Sequence, residues 1–228
     1  MKISVVLPVY NEAATVEEIV ARVRASGRAD EIVAVDDASG DGSAALLETL
    51  AGRYPELRLV RHDRNRGKGA ALRTGFAVVT GDIVIVQDAD LEYDPSDYRA
   101  LLEPLLDGRA DVVFGSRFLG GPHRVLYYWH YVANRSLTVL SNALNNVNLS
   151  DMETGYKAFR REVLEGLRLR SDRFGFEPEF TAKVARRRLR IYEVPISYSG
   201  RTYEEGKKIG WWDGVKALGA IIWFRFFD

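Results

Sequence analysis

Four β-branched residues, Ile83-Val84-Ile85-Val86, follow one another without a polar interruption. This run limits the fold more than any other feature of the chain. A strand with one wet face alternates apolar and polar residues, so a run with no polar face must be covered on both sides. Apolar runs at Ile3–Val9, Glu31–Asp36, Leu57–Arg61, Asp82–Gln87 and Asp111–Ser116 read as strands, with helix-forming segments between them. Thr15-x-x-Glu18 predicts a capping box, and Pro95 after Asp94 predicts a first helical turn. Repeated strand–helix units imply a parallel sheet with right-handed crossovers.

The second half has a different rhythm. An aromatic-rich stretch, Arg124 to Asn146, precedes Asp151–Arg160 and a short helix from Arg161. A helix near Glu177–Arg188, a strand at Arg190–Pro195 and a polar loop at Gly200–Lys208 follow, and an apolar helix starts near Gly210. No Gly/Ser/Pro-rich linker separates the halves and no internal repeat is visible, so 228 residues are expected to form one domain. With no cysteine, disulfides and thiolate metal sites are excluded. The start of the chain lacks the pattern of a signal peptide. Its longest late apolar run, Ala217 to Phe224 between Lys216 and Arg225, falls short of the roughly 18 residues a membrane span requires.

Formal net charge is zero, but it is unevenly spread. Residues 1–114 hold 13 Lys and Arg against 20 Asp and Glu, and residues 115–228 hold 19 against 12. Two readings stand: ordinary solvated surface charge, or an acidic half that recruits a cation beside a basic half that receives an anion.

In an open parallel sheet, ligands bind beyond the carboxyl ends of the strands. Those positions are Pro8 to Glu12, Asp36-Asp37-Ala38-Ser39, Asp88-Ala89-Asp90 and Gly115-Ser116-Arg117. Three of the four carry carboxylates with no basic neighbour in sequence. Carboxylates gathered in one cleft repel each other unless a cation intervenes. Asp88 and Asp90, with Glu92 as a third oxygen donor, are therefore candidate ligands of Mg²⁺ or Mn²⁺. The alternative is that these acids only cap the turn before Pro95.

Gly67-Lys68-Gly69 opens a helix over Ala70–Val79 but has neither the P-loop spacing nor G-x-G-x-x-G. It is either a glycine turn with an exposed lysine or a diphosphate cradle of Lys68 and free backbone N–H groups. The loop Arg201–Lys208 is either solvated or a lid that closes with Arg117 over phosphate oxygens. His62, His123 and His130 are too scattered for a metal site.

Val5-Val6-Leu7-Pro8-Val9-Tyr10-Asn11-Glu12, Val35-Asp36-Asp37-Ala38-Ser39, Asn65-Arg66-Gly67-Lys68-Gly69-Ala70 and Gln87-Asp88-Ala89-Asp90 occur in this order. Together they resemble family-2 glycosyltransferases, in particular the dolichyl/polyprenyl-phosphate mannose or glucose synthase branch. Gly115-Ser116-Arg117, Glu153 to Arg160, Phe176-Glu177-Pro178-Glu179 and Arg201–Lys208 also look like that branch. The resemblance implies a GT-A fold, a three-layer sandwich around a mostly parallel sheet. Residues 1–116 would then be the nucleotide-binding half. Residues 117–228 would be the acceptor-binding half, closing in an amphipathic helix.

It further implies an inverting hexosyltransferase using a nucleotide-diphosphate sugar of the GDP-mannose or UDP-glucose type. Pro8, Tyr10, Glu12, Val35 and Asp37 would surround the nucleoside, and Asp88, Ala89 and Asp90 would hold metal and diphosphate. Glu92 stands where such synthases often have Gln. Arg117, Arg201 and Lys207 match positions that contact phosphate groups. Such proteins commonly carry a C-terminal span or basic anchor, and this sequence shows no span. The expected location is cytoplasmic, peripheral at the inner face of the membrane, with no nucleic acid among the partners.

A polyprenyl-phosphate acceptor is already anionic, and Arg117, Arg201 and Lys207, joined by Arg135, would orient it. A sugar-hydroxyl acceptor would need a base, for which Asp151, Glu153, Glu177 and Glu179 are candidates. A catalytically inactive nucleotide-binding module is a third reading. The run Tyr127-Tyr128-Trp129-His130-Tyr131 fits either core packing or a membrane-facing groove. The closing helix fits either docking on the domain or lying among lipid headgroups.

Overall fold

The computed structural model describes residues 1–125, 127–202, 204 and 211–228. Its strands are β1 (Ile3–Val9), β2 (Glu31–Asp36), β3 (Leu57–Arg61), β4 (Ile83–Val86), β5 (Val112–Ser116), β6 (Lys157–Arg160) and β7 (Ile191–Pro195). The helices are α1 (Val16–Ala25), α2 (Ser43–Arg53), α3 (Lys68–Phe76), α4 (Tyr98–Leu106), α5 (Tyr128–Asn145), α6 (Phe176–Arg186) and α7 (Trp211–Phe226). One sheet runs in the order β3-β2-β1-β4-β6-β5-β7. Its neighbours are parallel except at β6, which is antiparallel to both β4 and β5. Strands from both sides of residue 116 thus interleave within a single sheet.

The apolar runs split by pleat, as a doubly covered sheet requires. Ile83 and Ile85 of β4 enter one core with Val5 and Leu7 of β1, Ile19 of α1, Leu47 of α2 and Leu101 of α4. Val84 and Val86 enter the other with Val6 of β1, Leu72 of α3, Phe180 of α6 and Ile221 of α7. All four β4 residues have no solvent exposure.

Two local expectations turn out differently. Thr15 makes no side-chain cap to α1. Its hydroxyl turns back to the backbone carbonyl and the carboxylate of Glu12, so the capping box is replaced by a brace on the loop after β1. β6 was not anticipated. Lys157–Arg160 is short, mixed in polarity and buried among aromatics, so its own sequence carries little strand signal. Asp94 and Pro95 do start a helical turn, a 3₁₀ turn in which the Asp94 carboxylate accepts from the Ser96 N–H.

Candidate active site

β1, β2 and β4 are parallel and adjacent, so their carboxyl ends open onto the same edge of the sheet. Just past each end stands a non-glycine residue in the left-handed region: Asn11 (φ 53°), Ala38 (φ 58°) and Leu91 (φ 62°). Such backbone is costly for L-residues and persists where surrounding bonds hold it. Here they do. The Asn11 N–H donates to Ser39, the Asn11 side chain accepts from the Gly40 N–H, and the Glu12 N–H donates to Ser43.

The turn after β4 carries two carboxylates, each met by a cation from elsewhere. The Lys68 amine lies 2.8 Å from Asp88 and 3.2 Å from Glu177. Burial alone would lower this amine, but Asp88 and Glu177 hold it well above the usual lysine range. Arg201 lies 3.2 Å from Asp90 and 3.3 Å from Glu12. Burial, then repulsion from Asp88 and Glu92, pushes the Asp90 carboxyl up to about 7 against the pull of Arg201. The cleft holds an excess of negative charge that Lys68 and Arg201 offset only in part.

Beneath the turn lies an aromatic floor. Tyr98 and Tyr156 both donate to the buried Gln87 side-chain oxygen. Tyr93 stacks on Tyr156 with ring centroids 4.9 Å apart, and its hydroxyl accepts from the Gly155 N–H. Gly155 is pressed so closely against Asp88 and Tyr93 that a Cβ there would collide with the Asp88 carboxylate. Gln87 had a sequence signal, a polar residue ending an apolar run just before Asp88. The tyrosines had none, because a lone tyrosine in sequence says nothing of what it underpins.

Other groups are committed to one another. Asp37, 2 % exposed, lies 2.6 Å from His62 and accepts from the N–H groups of Arg66 and Gly67. The Ala70 N–H donates to the Asp172 carbonyl. The start of α3 is therefore not a free phosphate cradle, and its glycines allow close approach to residues 171–173. Asp37 sets the turn that presents Lys68 to Asp88; it does not share a cation with Asp88 and Asp90. Glu92 is likewise engaged, accepting from the Tyr198 hydroxyl and the Arg201 N–H, each at 2.8 Å. Among the described residues no three His or carboxylate groups are gathered to hold a metal. The expected triad of Asp88, Asp90 and Glu92 is not assembled, because Glu92 anchors the segment 198–201.

Arg117 forms a bidentate pair with Asp151, at 2.6 and 2.7 Å, and lies over the Tyr198 ring. Its burial would lower the guanidinium, but Asp151 and Tyr93 raise it well above its ordinary range. Asp151 is spent on that pair, and Glu179 on the Arg170 and Ser171 N–H groups and Lys183. Glu177 is paired with Lys68. Of the four acids considered as bases, Glu153 alone keeps a buried oxygen, Oε1, without a hydrogen-bond partner among the described residues. Arg135 on α5 donates to the Ser150 carbonyl at 3.3 Å. Val35 is wholly buried between Pro8 and Val60, and Ala89 is 4 % exposed, whereas Tyr10 is 42 % exposed at the rim. Lys207 lies outside the described residues.

The model for glycosyl transferase family 2 matches residues 4–168, which take in all of β1 but its first residue, β2 to β6 and both aspartates of the turn. The chain belongs to glycosyl transferase family 2. Its similarity to two curated proteins runs further, beyond Arg201. A dolichol-phosphate mannosyltransferase of Pyrococcus furiosus is 31% identical over 92% of this chain and 60% of its own length. A polyprenol monophosphomannose synthase of Mycolicibacterium smegmatis is 34% identical over 90% of this chain and 80% of its own. This family-2 chain therefore spans less than two thirds of the Pyrococcus protein. Among solved structures, glucosyl-3-phosphoglycerate synthase of Mycobacterium tuberculosis, in complex with Mn²⁺, UDP and phosphoglyceric acid, superposes with a TM-score of 0.77. It is 22% identical and covers 100% of this chain and 79% of its own, which places this family-2 chain in the GT-A fold.

The exposed apolar residues lie elsewhere. Tyr128 and Trp129 at the start of α5 are 67% and 76% exposed, which decides against core packing for that run. α7 docks through Ala217, Ile221 and Phe224 while Trp212, Leu218, Ile222, Trp223 and Phe226 face outward. No described helix is long and apolar enough to cross a membrane. A groove along α5, about 470 Å³ and mostly apolar, is lined by Tyr131, Val132, Arg135, Val139, Leu140 and Ala143.

Proposed function

We propose that this chain is an inverting, metal-dependent hexosyltransferase that moves sugar from a nucleotide-diphosphate donor to a polyprenyl phosphate. The observation that carries the reading is the turn after β4, where two carboxylates are balanced by Lys68 and Arg201, cations that other anions can claim. A divalent ion fits this donor set. Asp88 and Asp90 are hard oxygen ligands, and burial and repulsion raise Asp90, the condition a cation relieves. These two residues would hold Mg²⁺ or Mn²⁺, which when bound supplies charge stabilisation to the departing diphosphate.

The chain's own groups do the rest. Freed from the carboxylates, Lys68 and Arg201 bind diphosphate oxygens, where charge grows as the glycosidic bond breaks. Pro8, Tyr10 and Glu12 frame the nucleoside at the end of β1, Asp37 fixes the neighbouring turn, and Val35 acts only as buried support for the end of β2. Arg117, locked by Asp151, orients the acceptor phosphate, whose anionic oxygen attacks the anomeric carbon from the face opposite the leaving group. No base is required. The exposed aromatic face of α5 and α7 contacts the membrane surface, and the α5 groove with Arg135 suits an isoprenoid chain ending in phosphate.

A sugar-hydroxyl acceptor is the second reading, favoured by the unpartnered Glu153 oxygen, the place a base would occupy. Incubation with radiolabelled GDP-mannose and UDP-glucose and a panel of acceptors separates the two. An organic-extractable, acid-labile product from undecaprenyl phosphate is expected. Transfer only to hydroxyl acceptors would reject the proposal.

A further inference from the structure

The segment Asp151–Gly155 hands one residue to each part of the cleft. Asp151 pairs with Arg117 at one end, and Gly155 presses on Asp88 at the other. Glu153 lies between them with Oε1 buried and without a partner among the described residues. A buried polar atom left alone is rare in native structures and calls for an explanation, such as a catalytic role or a bound water, ion or ligand.

The groups facing Glu153 come from four elements. They are Glu177 of α6, Lys157 of β6, Arg117 after β5 and Asp151 of its own segment. Lys68 of α3 touches Glu177 and so takes up that carboxylate's charge. Lys157 is fully buried over the Phe114 ring and donates to the Thr154 carbonyl, so its ammonium is partly spent. Burial, then Glu177, pushes the Glu153 carboxyl up to about 8, with Lys157 and Arg117 opposing. At neutral pH this residue therefore carries its proton and is an O–H donor. It sits beside Arg117, whose Nε and Nη2 are taken by Asp151.

We infer that Glu153 is an acceptor-binding residue, its protonated carboxyl donating a hydrogen bond to the phosphate that Arg117 also holds. The inference rests on the polyprenyl-phosphate reading and deepens it. A carboxylate base here would repel a phosphate; a carboxylic acid attracts it. An apolar site that keeps an acid neutral so that it can donate is a known device.

The test is the KM for undecaprenyl phosphate in detergent at pH 7, 8 and 9, with donor saturating. Phosphate monoesters lose their second proton near pH 6, so the acceptor's charge is constant over this range. Wild-type KM is expected to rise about tenfold from pH 7 to 9, following one unit of ionisation beyond the carboxyl midpoint. Glu153→Gln keeps a donor at every pH, and its KM is expected to change less than about threefold. The remainder belongs to Lys157, whose amine burial lowers to about 8. Glu153→Ala should raise KM at pH 7 about tenfold, the loss of one charge-assisted hydrogen bond, with kcat and donor KM little changed. Inorganic phosphate, tested as a competitive inhibitor, should weaken in parallel in Glu153→Ala. An unchanged inhibition constant would mean that the residue senses the lipid and not the phosphate, and would overturn the assignment. So would a Glu153→Gln profile identical to wild type, or a kcat for that variant at least 100-fold down, the mark of a base. Transfer to undecaprenyl phosphate without any Glu153 dependence rejects this inference alone; transfer solely to a hydroxyl rejects both it and the function above.

Discussion

The cleft at the ends of β1, β2 and β4 and the outer face of α5 and α7 solve opposite problems. In the cleft, charged groups are buried and nearly all are paired: Asp88 with Lys68, Asp90 with Arg201, Asp37 with His62. On the helical face, apolar groups stand in water, with Trp129 76% and Trp223 54% exposed. A buried ion pair costs desolvation, and that cost can exceed the attraction between its partners. A broad exposed apolar face is retained where something apolar covers it. The contrast separates a polar cleft from an apolar face; under the proposed reading the first receives the donor and the second meets the lipid acceptor.

Removing charge from the cleft should have the largest effect. Asp88→Asn and Asp90→Asn are each expected to lower sugar transfer about 10²–10³-fold, the scale for losing electrostatic stabilisation of a transition state. Thermal unfolding should stay close to wild type, because each Asn keeps the shape, Lys68 keeps Glu177 and Arg201 keeps Glu12 as partners. Undiminished turnover in both would end the cleft's side of the comparison. Next comes Gly155→Ala, whose new methyl must push the Asp88 carboxylate aside. Misplacing a catalytic group by about 1 Å costs about 10²-fold, so a loss of about 10- to 100-fold is expected in assays of transfer. Full activity would mean that Asp88 has freedom to move.

The helical face should respond more mildly and by another readout. The double change Trp129→Ser and Trp223→Ser is expected to weaken sedimentation with phosphatidylglycerol-containing vesicles by about tenfold or more, from roughly 1.5–3 kcal/mol per buried large apolar side chain. kcat on a short-chain, water-soluble prenyl phosphate should not change. Equal vesicle binding would break the contrast. The last prediction concerns stability and its dependence on pH. Glu153 is expected to be protonated in folded and unfolded chains alike below its ordinary value of 4.5, so it is neutral to stability there. Between 4.5 and about 8 the unfolded chain releases that proton and the folded one does not. Stability falls through this window by up to about 1.4 kcal/mol per pH unit and is then constant. Glu153→Gln removes the penalty, so its melting temperature should exceed wild type by a margin that grows from pH 5 to 8. A margin that is constant with pH would place Glu153 in ordinary solvent.

Much of this was legible in the chain itself. β1, β2 and β3 begin and end where their apolar runs do, and Asp88 and Asp90 announced themselves by following a fully buried strand. Those signals are local, since a strand's burial is written in its own residues. β6 was illegible for the same reason reversed: only the strands on either side of Lys157–Arg160 make it one. The cleft's carboxylates looked unneutralised in sequence because Lys68 and Arg201 lie 20 and 111 residues from their partners.

The sequence alone determined a doubly covered, mostly parallel sheet and the acids at its strand ends, because periodicity and strand-end position are properties of neighbours along the chain. Tertiary structure alone decided how those acids are used. It gave Asp37 to His62 and a turn, Glu92 to Tyr198 and Arg201, Asp151 to Arg117, and left Glu153 with an oxygen to spare. Charge pairing and desolvation act through space, so a carboxylate's task is set by what the fold brings within about 3 Å of it.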